Sequence, residues 1–372
     1  MTGRPRPAVD ALPAYRPGKD ASQAEAEHGI TEAIKLASNE NPLGPVPAVA
    51  AAIEAAAGGV NRYADHRASA VRAAIAAWRG VDVDQVVVGC GSVGLLQQLL
   101  LTYVDPGDEV VYPWRSFEVY PVYTQLVGGV ARTTPLVDHR FDLDAVAAAV
   151  GERTRLVILS NPNNPTGTAF GLDELETLLQ AVPRDVIVVL DEAYREFVDT
   201  SVVADPLAPG ADGGPSLLDR HPNLVVLRTF SKAQGLAALR IGYGFAHPEV
   251  ATSIDKTLFP FAVNGIAQAA ALAAIEAHAD IDARVAGIVA ERGRMLGALR
   301  DDGWTLPDSA ANFVWLPAGD ATVDLNQALE RRGIVARPFP GEGIRLTVSV
   351  AEENDRALKA LAAAADEVGV LA

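Results

Sequence analysis

The chain runs to 372 residues and is 49% hydrophobic, enough to build two cores at roughly 100 to 200 residues per domain. Lys+Arg 31 against Asp+Glu 47 leaves a net charge of −16, and with no basic run this surface repels polyanions and argues against a nucleic-acid partner. Cys90 is the one cysteine, which excludes an internal disulfide. With no apolar run near the roughly 18 residues of a membrane span and no apolar core in the N-terminal stretch, the expectation is a soluble cytoplasmic protein without a membrane partner.

Residues 1 to about 45 are rich in proline, glycine and charge and read as an arm, with one clear apolar piece at Ile34 to Ala37. Residues 47–57 and 68–79 are alanine-rich amphipathic helices around a polar loop, NRYADHR. From there apolar runs at Val86 to Val88, Val110 to Tyr112, Leu156 to Leu159, Val186 to Leu190 and Leu224 to Leu227 alternate with helical stretches such as 95–101 and 172–182. Short continuous strands between helices imply an α/β fold with a mostly parallel sheet covered on both faces. After Gly244 the pattern changes. Helices at about 264–279 and 281–301 precede a strand, a helix and a strand (ANFVWLP, VDLNQALERRG, GIRLTVS) and a C-terminal helix. The expected division is an arm over 1–45, a large domain over 46–260 and a smaller α+β domain over 261–372.

The polar segments at the ends of the apolar runs carry the chemistry. All of these runs but Val110 to Tyr112 lead, in turn, into GCGS, SNPNNPTG, DEAY and RTFSK, and ligands of open α/β sheets bind beyond the carboxyl ends of the strands, so these four clusters should meet at one edge. Lys232 leaves its strand between hydroxyl residues and ahead of Arg240. A partly desolvated amine there suits a Schiff base, although an isolated Ser-Lys pair is more often surface. Gly89, Gly91 and Gly94 satisfy G-x-G-x-x-G. A dinucleotide site would want an acidic residue ending the next strand, where Tyr112-Pro113-Trp114 stand, so that reading is rejected. What survives is a helix start at Gly91, Ser92 and Val93 whose backbone amides suit one phosphate, against the plain alternative of a tight turn. SNPNNPTG must be a rigid turn, and Asn164 within it would have its amide fixed in direction. Asp191 ends a buried strand and wants a cationic partner, which a pyridinium nitrogen would supply, and Tyr194 stands three residues on. Alone, Asp191-Glu192 would more often be a helix cap or a salt bridge. The scattered histidines give no metal spacing.

NPNNPTG, DEAY, TFSKAQGLAALRIGY and IRLTVS together resemble the fold type I pyridoxal-phosphate aminotransferases, in the branch of histidinol-phosphate and aromatic amino acid aminotransferases, from residue 38 to about 355. The resemblance implies pyridoxal 5'-phosphate as cofactor, with Lys232 as its covalent anchor, Asp191 as the partner of its ring nitrogen, and Tyr194 and Asn164 as donors to its phenolic oxygen. It implies a phosphate cup of Gly91, Ser92, Thr229, Ser231 and Arg240, and Phe117 stacked on the ring. Tyr63 would reach the phosphate of a neighbouring subunit, which implies a homodimer with shared sites. Arg345 matches the arginine that clamps the substrate carboxylate, and Arg337 and Tyr15 would face the substrate side chain. The sequence departs from the pattern at Gln234, where an aromatic residue is common, and at Ala238, where a glycine is common.

The implied reaction is a ping-pong transamination between aromatic amino acids and a 2-oxo acid such as 2-oxoglutarate. GCGSVGLLQQ, WRSFEVYP and ANFVWLP favour the aromatic branch, with histidinol phosphate as the alternative substrate because Arg337 stands where those enzymes bind a phosphate. A decarboxylase of the same fold shares Lys232 and Asp191. A ligand-binding unit fused to a DNA-binding domain finds no support, since no helix-turn-helix or basic face is visible.

Overall fold

The computed structural model describes residues 3–12, 18–210 and 213–371. In chain order its strands are β1 (Ile34–Lys35), β2 (Val86–Gly89), β3 (Glu109–Trp114), β4 (Val130–Val137), β5 (Arg140–Phe141), β6 (Thr154–Ser160), β7 (Ile187–Asp191), β8 (Leu224–Thr229), β9 (Gly242–Ala246), β10 (Phe313–Leu316), β11 (Ile334–Val335), β12 (Arg337–Phe339) and β13 (Gly343–Thr347). Strands β2 to β9 form one sheet in the order β2-β9-β8-β7-β6-β3-β4-β5. The run β8-β7-β6-β3-β4 is parallel, and β9 lies antiparallel between β8 and β2.

The apolar runs are continuous because both faces of this sheet are covered. Val87, Val110, Leu156, Ile158, Val189 and Val225 pack into one cluster with Leu95 and Leu99 of the helix Gly91–Tyr103. Their chain neighbours Val88, Val111, Val157, Leu159, Val188 and Val226 pack into the other. Alternation along each strand therefore sends successive side chains into two different cores.

Beyond the sheet, helices Gly265–Glu276 and His278–Asp301 lead to a second sheet, β10-β13-β12, all antiparallel. The arm joins this part of the chain, since β1 pairs in parallel with β11 and the backbone of Thr347 donates to Leu36 O at 2.9 Å. The helix Val119–Val127, β4 and β12 are among the elements that the sequence pattern does not signal. No helix among the described residues is long and apolar enough to cross a membrane.

Because β2, β3, β6, β7 and β8 all run the same way, their carboxyl ends open on one edge. There the chain turns into Gly91, Ser116, Asn161, Glu192 and Phe230, and one cavity opens.

Candidate active site

The cavity, about 240 Å³, is lined from the strand ends of the large sheet, from the arm at Gly18 and Ala37 to Asn39, and from β12 and β13. It gathers Ser92, Phe117, Asn164, Asp191, Tyr194, Thr229, Ser231, Lys232, Arg240, Arg337 and Arg345. These expected residues, far apart in sequence, thus share one space. Tyr63 does not line it. That residue is 84% exposed, and its ring stacks on Phe261 at 4.4 Å between centroids. Tyr15 falls outside the described residues.

One wall is built for a small anion. The helix Gly91–Tyr103 begins here with Gly91 at φ +75°, and a Cβ at Gly91 would stand 2.8 Å from Nη2 of Arg240. Across the strand pair, Gly242 opposes Thr229, and a Cβ on Gly242 would lie 2.3 Å from the Ser92 amide nitrogen. Both glycines are needed for the backbone to close up around the guanidinium and the helix start. Thr229 Oγ1 and Ser231 Oγ lie 2.8 Å apart, and the Ser231 amide donates to Thr229 Oγ1 at 3.1 Å. Two hydroxyls, a guanidinium and the amides of a helix start make an anion cup.

The opposite demand sits at Asp191, the last residue of β7 and 5% exposed. The hydroxyl of Tyr120 donates to its Oδ2 at 3.0 Å, whereas its buried Oδ1 has no hydrogen-bond partner among the described residues. Burial pushes the Asp191 carboxyl up from 3.8 to about 6, although the Tyr120 hydroxyl, the nearby Ala193 amide and the Lys232 charge all favour its ionised form. A cationic ring N–H is the group this oxygen lacks. Tyr120 also meets the edge of Phe117, ring centroids 5.7 Å apart and 84° between planes. Sequence reasoning misses Tyr120. Its only signal is an aromatic at the start of a helix, three residues after Phe117.

Lys232 leaves the end of β8 half-buried, and its Nζ donates to Ser38 O at 3.3 Å. Burial first, then the positive charges of Arg345 and Arg240, lower its amine to about 8, so an appreciable fraction is neutral and nucleophilic near pH 7. Arg345, on β13, donates through Nη1 to Asn164 Oδ1 and through Nη2 to Ala37 O. The contact with Oδ1 orients the amide of Asn164, which lines the cavity. Tyr194 is buried, and its hydroxyl accepts from Asn39 Nδ2 at 2.9 Å. Asn39 has no distinguishing signal in the sequence. Its role depends on contacts to residues 155 and 308 positions away.

At the mouth, Arg337 pairs with Glu118 at 2.7 Å and Arg115 pairs with Glu342. Ser116 donates to Asn163 Oδ1 at 2.9 Å, which ties the loop after β3 to the turn after β6. The cup, the orphaned carboxylate oxygen and the depressed lysine together suit a pyridine ring that carries an aldehyde and a phosphate.

The chain matches the family profile described as aminotransferase class I and II over residues 31–361. It is 50% identical over 350 residues, 94% of each chain, to the aromatic amino acid aminotransferase of Thermobifida fusca (strain YX). To the aromatic amino acid aminotransferase of Streptomyces avermitilis it is 46% identical over 355 residues, 95% of each chain. Among solved structures it is similar to the histidinol-phosphate aminotransferase from Sinorhizobium meliloti in complex with pyridoxal-5'-phosphate, with a TM-score of 0.88, 30% identity and 99% of both chains covered.

The raised Asp191 pKa fixes a sign for stability. The folded, ligand-free state holds this proton more tightly than the unfolded chain does, so the group favours folding fully only below 3.8, and that contribution is lost as pH rises through about 6. At about 1.4 kcal/mol per unit, the bare buried carboxylate costs about 3 kcal/mol at neutral pH. Ligand-free Asp191→Asn protein is therefore expected to melt a few degrees above ligand-free wild type at about pH 8, with the gap closing towards pH 4. Identical melting at both pH values would mean that a cation of the chain already balances the carboxylate.

Proposed function

The chain belongs to the class I and II aminotransferases, and from that membership we propose that it moves the amino group between aromatic amino acids and a 2-oxo acid such as 2-oxoglutarate. The observation that carries this reading is the single cavity in which a half-buried lysine, an orphaned buried carboxylate and an anion cup face one another. The cofactor is pyridoxal 5'-phosphate, which supplies an aldehyde to capture the amine and an electron-poor ring to hold the electrons released at the substrate Cα.

Each residue then has a task set by its chemistry. Lys232 Nζ would hold the cofactor at its aldehyde carbon, and its amine, when free, would be the base placed to take and return a proton at the substrate Cα. Asp191 keeps the ring nitrogen protonated, because its Oδ1 can be satisfied only by a donor. The Asn164 amide and the Tyr194 hydroxyl donate to the phenolic oxygen. Gly91 and Ser92 amides, with Thr229, Ser231 and Arg240, bind the phosphate, and Phe117 packs on the ring face. Arg345 binds the substrate α-carboxylate as a planar two-pronged donor, exchanging the neutral acceptors Asn164 Oδ1 and Ala37 O for a charged one.

The side-chain end of the pocket favours an aromatic donor. Phe339 is an apolar wall, and Glu118 already opposes the charge of Arg337, so a phosphate entering there would meet a carboxylate as well as a guanidinium. Arg337 then serves as a flank of the substrate ring. The aromatic specificity named for relatives at 46 and 50% identity supports the same choice. We further place the protein in the cytoplasm, in amino-acid biosynthesis, with an arm over 1–45, a cofactor-binding domain over 46–260 and a smaller domain over 261–372. We also propose a homodimer. Tyr63, Phe259, Phe261 and Val60 are 84, 77, 42 and 69% exposed, and an aromatic patch of this kind is what a subunit interface covers. Tyr63 would cross that interface to the partner's phosphate cup.

Three outcomes are expected. Borohydride treatment of the holoenzyme should fix the cofactor to Lys232, read as a mass increase on its peptide, and Lys232→Ala should lose both this adduct and transamination; turnover near wild type in that variant would end the assignment. The kcat/KM for phenylalanine should exceed that for histidinol phosphate, and Glu118→Gln, which removes the carboxylate beside Arg337, should shift this ratio towards histidinol phosphate by roughly tenfold. A hundredfold preference of the wild type for histidinol phosphate would promote that substrate instead. Sedimentation should give twice the 39.0 kDa chain mass, and a monomer with full activity would exclude shared sites.

A further inference from the structure

We propose that Asn39 is a positioning residue that sets the direction of the Tyr194 hydroxyl proton, so that Tyr194 is a donor into the cavity, toward the cofactor's phenolic oxygen. The proposal rests on the reading of this cavity as a pyridoxal-phosphate site.

Counting donors fixes the direction. Asn39, Tyr194 and Thr347 are 1, 3 and 4% exposed, so on the side away from the cavity their partners come from the chain. Asn39 Nδ2 lies 2.9 Å from the Tyr194 oxygen. An amide nitrogen offers only hydrogens, so the tyrosine accepts there and must send its own proton elsewhere.

The other end of the amide fixes this orientation. Thr347 Oγ1 lies 3.1 Å from Asn39 Oδ1 and 3.0 Å from the Asn39 backbone nitrogen. The backbone N–H uses a lone pair of the Thr347 hydroxyl, and the single hydroxyl proton goes to Oδ1. With the amide turned round, the Thr347 proton would have no acceptor there, and Tyr194 would spend its proton on Asn39. The order Thr347 O–H to Asn39 Oδ1, Asn39 N–H to Tyr194 Oη, Tyr194 O–H to the cavity is the one that satisfies every group.

The frame around these groups is rigid. Asn39 adopts φ +52°, a region that asparagine tolerates better than most residues, and its carbonyl accepts from Asn312 Nδ2 at 3.1 Å. The Tyr194 ring is held edge-on against Phe313, centroids 5.1 Å apart at 86°. Thr347 lies two residues beyond Arg345 on β13, so both side chains leave the same face of that strand. The strand that carries the carboxylate-binding arginine therefore also begins the relay to the cofactor oxygen.

The test uses the holoenzyme and the pH midpoint of its visible absorbance, which reports the proton shared with the phenolic oxygen. A donor to that oxygen stabilises its ionised form, so losing alignment raises the midpoint. Asn39→Gly, which the positive φ accommodates, is expected to raise it by roughly half to one pH unit. In a Tyr194→Phe background the same substitution should add nothing beyond Tyr194→Phe alone. Thr347→Val should shift the midpoint the same way, and Thr347→Ser should restore it. An equal Asn39→Gly shift with and without the tyrosine hydroxyl, or no shift at all, overturns the relay. Should Asn39→Gly not fold, indistinguishable midpoints for Thr347→Val and Thr347→Ser overturn it as well. A midpoint unmoved by Tyr194→Phe removes Tyr194 as a donor to the phenolic oxygen, and the relay with it, whereas a protein that takes up no visible chromophore removes the cofactor reading itself.

Discussion

Two carboxylates stand side by side where β7 ends, and the fold treats them in opposite ways. Successive residues of a strand point to opposite faces, so Asp191 looks into the cavity and Glu192 away from it. Glu192 is met by Arg228, whose Nε and Nη2 approach its Oε2 at 2.9 and 2.7 Å, and Arg228 also reaches Asp205 at 2.7 Å. Both Glu192 and Arg228 are buried, and such a pair survives burial because each charge finds its counterpart within the chain, although Nη1 of Arg228 has no hydrogen-bond partner among the described residues. Asp191 receives one tyrosine hydroxyl and keeps an oxygen unpartnered among the described residues. One acid is settled by folding and its neighbour is left for a ligand, and the position of the whole site depends on that difference. The ligand-free protein carries the unmet charge as a stability cost, and a cation bound at Oδ1 recovers it.

The same logic accounts for the rest of the cavity. Its donors cluster where β8 and β9 turn and where the helix Gly91–Tyr103 begins, so an anion is drawn to one wall and a ring cation to the other. Lys232 lies among them with its amine held down by burial and by two arginines. The charge pattern alone therefore orients a ligand that is anionic at one end and cationic at the other, before any substrate arrives.

How much of this the sequence discloses depends on how far apart the interacting residues lie. Strands β2, β3, β6, β7 and β8 are continuous apolar runs because they are covered on both faces, and they are legible for that reason. Strand β4 is not: most of VARTTPLV is exposed, so it carries neither a buried run nor a clean alternation. Strand β12 holds a proline, which speaks against a central strand. Lys232, Asp191 and Asn164 stand out locally, at strand ends and in a turn rich in proline. Arg345, Tyr63 and Phe117 stand out only through family resemblance, since nothing in their own neighbourhood requires an arginine or an aromatic ring. Tyr120 and Asn39 escape both routes. Their partners lie 71 and 155 residues away, and a hydrogen bond between distant buried side chains leaves no periodic trace in the chain.

The arm belongs among the active parts of the fold on the same grounds. Residues 34–39 run alongside β11 and β13: β1 pairs with β11, Leu36 accepts from Thr347, Ala37 accepts from Arg345, and Asn39 exchanges bonds with Thr347. Each contact joins the arm to the smaller sheets, while Ser38 accepts from Lys232 and Asn39 donates to Tyr194 on the large-sheet side. The stretch is thus a seam between the two halves of the cavity, held by these hydrogen bonds as well as by Ile34, Leu36 and Ala37 packed in the apolar cores. Such bonds are strict about direction and distance where apolar packing is tolerant. A shift of β13 would be felt first along this seam, and from there at Lys232 and Tyr194, which line the cavity.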